Sequence, residues 1–384
     1  MNQFRMKSRS RNIKNRIIIS GGGTGGHVFP AIAIAGAIKE RKPDADILFV
    51  GAENRLEMEK VPEAGYKIKG LPVEGFRRKL SVHNIKVIVK LFRSLGMARK
   101  ILKEFDPGVV VGVGGYASGP VLRSASAMGI PTLIQEQNSF AGVTNRMLSR
   151  KASRICVAFD GMDRFFPSDK IVKTGNPVRK EIEIVRSAEY RFEGYKYFNL
   201  DKTLKTLLIL GGSLGARTIN QGVMKNLGQV NVSGIQILWQ CGKYYYPEAK
   251  KAVDDSGNKS IILKDFISRM ELAYAVSDVI ISRAGAITIS ELCHAGKPAI
   301  LVPSPNVAED HQTRNAMALE EKSAAICMAD SEAVQKMIPV ALELLKDEER
   351  MKRMSEKILS LVIEDSAGKI AEEVIGLMEQ GERE

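Results

Sequence analysis

Residues 20–30, Ser-Gly-Gly-Gly-Thr-Gly-Gly-His-Val-Phe-Pro, set five glycines, a threonine and a histidine after the apolar run Ile17-Ile18-Ile19. A helical pattern begins near Pro30. A strand that opens through glycines into a helix lets backbone N–H groups approach an anion closely, and the helix dipole favours negative charge there. His27 closes the turn with a group that titrates near neutrality, suited to taking a proton from a hydroxyl. The bland role for the same histidine is to brace the loop through backbone hydrogen bonds. Gly21, Gly23 and Gly26 also fit the dinucleotide pattern G-x-G-x-x-G. That pattern expects an acid at the end of the second strand, but Ile47-Leu48-Phe49-Val50 runs into Gly51-Ala52 and Glu53 comes late. No Gly-Lys-Ser/Thr follows a glycine loop, which argues against a P-loop. A loop for a phosphate or sugar is the leading reading, with a nicotinamide-dependent oxidoreductase as the alternative.

Three further clusters carry chemistry. Ser282-Arg283-Ala284-Gly285-Ala286-Ile287-Thr288-Ile289-Ser290-Glu291 follows an apolar strand, so its small residues sit at a helix start whose free N–H groups could bind a diphosphate. Glu291, one turn in, could accept hydrogen bonds from both hydroxyls of a ribose, or serve only as a helix acid favoured by the dipole. Gln312 and Asn315 are three apart on one helix face and could read sugar hydroxyls; the alternative is a solvated polar face. Gln135-Glu136-Gln137-Asn138 ends a strand of the first half, where polar groups of an α/β sheet point to its ligand-binding edge.

These clusters need a scaffold, and the chain alternates short β-rich runs with helical stretches throughout. Strands are expected at 16–20, 46–50, 67–71, 109–113, 131–135 and 154–157, then at 205–210, 235–239, 260–263, 278–281, 298–301 and 324–327. Strands separated by helices imply βαβ units and parallel sheets. Two more glycine loops follow strands, at 112–120 and 210–216. The break falls between 176 and 204, in a charged, tyrosine-rich stretch with little periodicity. The expected architecture is α/β, with two facing Rossmann-like domains and a ligand cleft between them. Residues 1–15 form a basic arm, 16–178 the first domain and 179–365 the second, with a last helix near 366–384 that could return to the first.

With 384 residues there is room for two cores, and 44% hydrophobic content is that of a globular protein. No apolar run approaches the ~20 residues that span a bilayer. The first sixteen residues are basic without an apolar centre, unlike a signal peptide. Cys156, Cys241, Cys293 and Cys327 show no metal or disulfide spacing, and buried thiols in a reducing cytoplasm are expected. A net charge of +13 invites an anionic partner, yet one tryptophan and no recognised motif argue against nucleic acid. Nine cations and no acids between 75 and 103 (Arg77, Arg78, Lys79, Lys86, Lys90, Arg93, Arg99, Lys100, Lys103) accompany two apolar stripes. One stripe holds Ile85, Ile88, Val89, Phe92 and Leu95, the other Val87 and Leu91. One must pack on the sheet, and the surplus face suits peripheral binding to an anionic membrane surface.

Taken in order, Gly-Gly-Thr-Gly-Gly-His-Val-Phe-Pro at 22–30, Val-Gly-Gly-Tyr-Ala-Ser-Gly-Pro at 113–120, Glu-Gln-Asn at 136–138, Gly-Asn-Pro-Val-Arg at 175–179, Gly-Gly-Ser-Leu-Gly-Ala at 211–216, the 284–291 segment and Asp-His-Gln-Thr-Arg-Asn at 310–315 resemble the MurG family. These are the N-acetylglucosaminyltransferases that make lipid II for peptidoglycan. The resemblance implies the GT-B fold, UDP-GlcNAc as donor and undecaprenyl-diphosphoryl-N-acetylmuramoyl-pentapeptide (lipid I) as acceptor. It implies inversion at the anomeric carbon, no cofactor, and a peripheral place on the cytoplasmic face of the inner membrane. A related GT-B enzyme with another acceptor is the competitor. By motif, Thr24, Gly25 and Gly26 would line the donor sugar and diphosphate, Asn138 the sugar, Arg179 the uracil side and Ser213 the phosphates. Ile267 would meet uracil through its backbone. Ala286, Ile287, Thr288, Ile289, Ser290 and Glu291 would hold diphosphate and ribose, and Gln312 the sugar hydroxyls. Gly114, Gly115 and Tyr116 would form an acceptor or diphosphate loop. His311 departs from the glutamine that many relatives carry. His27 is the candidate base and Glu136 the runner-up. Asp44-Ala45-Asp46 matches a metal-binding D-x-D, but it precedes its strand, so no metal is expected.

Overall fold

The computed structural model describes residues 15–74, 82–212, 214–307 and 310–380, with the backbone alone for 82–86 and 88. The basic arm, Ser213, and Arg77, Arg78 and Lys79 therefore lie outside the described residues, as do the side chains of Ile85, Lys86 and Ile88. The chain forms two compact units. One takes the residues up to Glu136, Ala141–Pro177 and the chain from Asp365 onward; the other takes Gln137–Phe140 and Val178–Glu364.

The first unit holds seven strands, β1 (Arg16–Gly21), β2 (Asp46–Ala52), β3 (Lys67–Leu71), β4 (Val109–Gly114), β5 (Thr132–Glu136), β6 (Arg154–Val157) and β7 (Ile171–Lys173). They form one sheet in the order β3-β2-β1-β4-β5-β6-β7, with every pairing parallel. Successive side chains of a strand point to opposite faces. Ile17 and Ile19 accordingly enter one core, with Ile34, Ile38 and Ile370, and Ile18 enters the other, with Leu102 and Leu122. Each fully buried isoleucine stabilises the fold by about 2 kcal/mol, which anchors β1 just before its glycine turn. The helix Ser366–Gln380 puts Ile370, Ala371, Val374, Leu377 and Met378 into the first core. Arg41 pairs with Asp365 at 2.7 Å and with Glu372 at 3.4 Å, and Arg154 with Glu373 at 3.3 Å.

The second unit holds β8 (Thr206–Leu210), β9 (Gln236–Gln240), β10 (Ile261–Lys264), β11 (Val279–Ser282), β12 (Ala299–Leu301) and β13 (Ile326–Cys327). Their order is β10-β9-β8-β11-β12-β13, again parallel throughout. Both sheets reverse strand order beside their first strand, the switch point at whose C-terminal edge doubly wound proteins bind ligands. The fold is of GT-B type. Trp239 is fully buried in this core and donates its indole N–H to Asn220 Oδ1 at 3.1 Å.

Two local features differ from the sequence reading. β7 was not foreseen, because three residues carry no periodicity. The tyrosine-rich stretch contains a helix, Ala188–Phe198, held by its ends: Ser187 accepts the Tyr190 N–H, and Asn199 closes it in the left-handed conformation. Cys156, Cys241 and Cys293 are buried and Cys327 partly so. Burial pushes the Cys156 and Cys293 thiols up to about 12 and Cys241 to about 11.

Candidate active site

In the second unit, residues expected to meet the donor follow the C-terminal ends of strands. After β11, Gly285 caps the helix Ala286–Ala295, and its carbonyl takes the Ile289 N–H at 2.9 Å. The N–H groups of Ala286, Ile287 and Thr288 thus precede the first helical bond, where an anion can take them. Ser290 turns its hydroxyl back to the Ala286 carbonyl at 3.1 Å. Glu291 follows on the same helix. Its Oε2 accepts the Tyr274 hydroxyl at 3.0 Å, and its Oε1 lies 3.6 Å from Arg179. Burial raises the Glu291 carboxyl above its ordinary value, against the lowering pull of Arg179 and Tyr274. Tyr274 is raised well above its usual range, first by burial and then by Glu291.

Ile267 is buried and gives its N–H to Gln240 Oε1 at 2.8 Å, so only its carbonyl is placed to meet a base. A cavity of about 650 Å³ lies against Gly215, Thr218, Arg283, Asn306, Gln312 and Asp330. Gln312 uses its Oε1 to accept the Ser304 N–H at 2.9 Å, which leaves its amide nitrogen for a ligand. Arg283 pairs with Asp330 and donates to the Val302 and Pro303 carbonyls, tying the cavity wall to β11.

Asn315 corrects the sequence reading. It is fully buried rather than turned to a ligand. Its Oδ1 accepts the Ser139 N–H at 3.0 Å and the Ser139 hydroxyl at 2.9 Å, while its Nδ2 donates to Asn138 Oδ1 and the Ala284 carbonyl. Arg314 stacks its guanidinium 4.0 Å from the Phe140 ring centroid. These bonds explain why Gln137–Phe140 groups with the second unit, although Gln135 and Glu136 remain with the first.

In the first unit, Thr24 caps the helix Gly25–Arg41 in extended conformation, and its hydroxyl lies 3.2 Å from His27 Nδ1. The Thr24 carbonyl accepts the His27 and Val28 N–H groups, so the amides of Gly25 and Gly26 lead the helix. Gly114 ends β4 and Gly115 follows it, and Tyr116 stands half exposed beside them. A Cβ on Gly115 would lie 2.2 Å from the Gly22 carbonyl oxygen, so the two glycine loops touch backbone to backbone. Glu136 is buried; its Oε2 accepts the Gly142 N–H at 3.1 Å and the Asn145 amide at 2.9 Å, a bracing geometry. Asp44 and Asp46 sit at the N-terminal end of β2, away from the glycine loops.

Sequence reasoning missed Tyr274, Arg283 with Asp330, and Glu57, whose buried carboxylate meets the first glycine loop. Tyr274 sits in an apolar helix with no pattern to mark it, and Glu57 follows β2 at no spacing that marks it.

Two parallel-sheet units, each with a glycine loop at its switch point, define a protein of the GT-B fold class. Residues 17–157 match the Glycosyltransferase family 28 N-terminal domain, and residues 206–373 the Glycosyltransferase family 28 C-terminal domain. The chain belongs to glycosyltransferase family 28. It is 54% identical over 367 residues to a protein of Parabacteroides distasonis, covering 96% of this chain and 99% of that one. It is 57% identical over 366 residues to a protein of Bacteroides thetaiotaomicron, covering 95% and 98%. Both relatives are named UDP-N-acetylglucosamine--N-acetylmuramyl-(pentapeptide) pyrophosphoryl-undecaprenol N-acetylglucosamine transferase. Among solved structures, Acinetobacter baumannii MurG superposes with a TM-score of 0.74 at 28% identity, covering 94% of this chain and 99% of that one.

Proposed function

We propose that the chain moves N-acetylglucosamine from UDP-GlcNAc to the C4 hydroxyl of N-acetylmuramoyl-pentapeptide on undecaprenyl diphosphate, turning lipid I into lipid II. The arrangement around Glu291 carries the reading: a partly buried carboxylate for ribose hydroxyls, one turn from three first-turn amides suited to a diphosphate. In the transfer the acceptor oxygen attacks the anomeric carbon as the bond to UDP breaks, with inversion. The proton of the attacking hydroxyl goes to His27, whose imidazole is oriented by Thr24. The pair of electrons leaves with UDP, whose growing charge meets the amides of Ala286, Ile287 and Thr288, preorganised donors that need no metal. His27 is preferred to Glu136 because the Glu136 carboxylate already holds Gly142 and Asn145.

The acceptor's lipid tail requires a membrane surface. Among the described residues no helix is long and apolar enough to cross a membrane. The helix Val82–Phe105 buries Val87, Ser94, Ala98, Ile101 and Leu102, while Val89 and Phe92 remain 63% and 69% exposed. Arg93, Arg99, Lys100 and Lys103 are exposed on the same helix. Lys90 pairs with Glu74, so it is partly neutralised. This face supports peripheral binding at the cytoplasmic side of the inner membrane. Transfer of labelled N-acetylglucosamine from UDP to lipid I, with and without chelator, tests the whole reading. Absence of labelled lipid II and of released UDP overturns it.

A further inference from the structure

Glu57 opens the helix Glu57–Glu63 directly after β2, yet its side chain serves a different part of the fold. It is 1% exposed; Oε1 accepts the Ala52 N–H at 2.9 Å and Oε2 the Gly23 N–H at 2.8 Å. Ala52 ends β2 and Gly23 is the middle of the first glycine loop, so one carboxylate bridges a rigid strand end and the turn. The surroundings are cut to fit it. A Cβ on Gly22 would stand 2.1 Å from Glu57 Oε1, and one on Gly51 would stand 2.5 Å from its Cγ. Gly22 and Gly23 have φ of +151° and +89°, a turn that needs an external hold to keep one shape. The loop is therefore clasped from two sides, by Glu57 on one and by the Gly115 backbone on the other.

A buried carboxylate is costly unless hydrogen-bonded, and two backbone donors supply charge-assisted bonds of the stronger kind. Because Gly23 gives its N–H to Glu57, that amide is withheld from any ligand. The next donors, Gly25 and Gly26, lead the helix, with His27 beside them. We propose that Glu57 is a positioning residue for the transfer reaction: through Gly23 it fixes the turn that aims the first-turn amides and the His27 imidazole. This rests on the reading of His27 as the base. Both carboxylate oxygens face N–H donors, so glutamine, although isosteric, sets its own NH2 against one of them.

The test is Glu57→Gln in the full-length enzyme, assayed for transfer to lipid I. The expected fall in kcat is about 10–100-fold, the scale on which misplacing a catalytic group by about an ångström acts. The KM for UDP-GlcNAc changes less than kcat does, because the contacts expected from Glu291 and the helix that carries it are untouched. In a His27→Ala background the same substitution costs less than it does alone, since part of its effect runs through His27. Gly51→Ala keeps the carboxylate but displaces it, and lowers kcat likewise; it serves if Glu57→Gln fails to fold. In both variants hydrogen exchange over residues 20–28 quickens. Wild-type kcat in both folded variants overturns the proposal, and losses that multiply in full with His27→Ala overturn the coupling to His27. If His27→Ala itself keeps full turnover, the base reading falls separately. In that case faster exchange with lowered kcat in Glu57→Gln still supports the aiming of the Gly25 and Gly26 amides, and unchanged exchange overturns it.

Discussion

The guanidinium of Arg179 stands 3.6 Å from the carboxylate of Glu291, which also receives the hydroxyl of the buried Tyr274. The cation and the phenol hold Glu291 in place against burial, which raises its carboxyl above the ordinary 4.5. Charge-assisted bonds to two ribose hydroxyls would be lost in Glu291→Gln, at about 1.5–3 kcal/mol. The KM for UDP-GlcNAc is expected to rise about 10–100-fold with a smaller change in kcat, measured by initial rates at saturating lipid I. The stability effect has the opposite sign. A raised folded-state value means that ionised Glu291 costs stability, fully above that value and not at all below 4.5. Thermal melts of Glu291→Gln should therefore match or exceed wild type at pH 7–8, and the advantage should close towards pH 4.

Lys297 offers a second pH dependence, far from the chemistry. Burial lowers its ammonium from 10.5 to about 8, with Arg191 adding to the effect and Asp278 opposing it. The charged form is disfavoured in the fold, so stability is lost as pH falls from 10.5 through 8. Lys297→Met removes that cost. Its melting temperature is expected to exceed wild type below about pH 8 and to converge with it above 10.5. A gain that is constant across pH would show that packing, not charge, is responsible.

Asn315 anchors Gln137–Phe140 with three hydrogen bonds and ties it to the Ala284 carbonyl with a fourth. Asn315→Ala removes the acceptor that the Ser139 N–H and hydroxyl share, and four hydrogen bonds in all, at about 0.5–1.5 kcal/mol each. Urea unfolding should report a loss of this size, and donor affinity should fall with it, because Asn138 loses its holder. Unchanged stability would mean that water replaces the amide.

Phe92 and Val89 present exposed apolar surface beside exposed cations. Phe92→Glu is expected to abolish most sedimentation with anionic vesicles while leaving activity on a short, water-soluble acceptor intact. Arg93→Gln with Arg99→Gln should weaken anionic binding by roughly 1 kcal/mol per charge. Equal binding of wild type to neutral and anionic vesicles would remove the electrostatic part.

The sheets were legible because parallel strands buried on both faces read as continuous apolar runs, as at 109–111 and 207–210. The glycine loops were legible because few residues besides glycine fit a strand-to-helix turn that close to its neighbours. Side-chain direction was not. Gln312 and Asn315 share a helix face, and only packing separates a residue open to a ligand from one locked against Ser139. Glu53 and Glu57 both follow β2 in sequence, and nothing in their spacing marks the one that turns back to Gly23. Long-range partners of this kind depend on which loops the sheet order brings together.

The returning helix Ser366–Gln380 has a consequence for biosynthesis. The residues it adds to the first unit's core leave the ribosome only after the whole of the second unit has been made. Until then Ile34 and Ile38 lack part of their cover, so the N-terminal half must wait, partly open, while the second unit is synthesised. A nascent chain truncated before Asp365 would display that uncovered flank to chaperones.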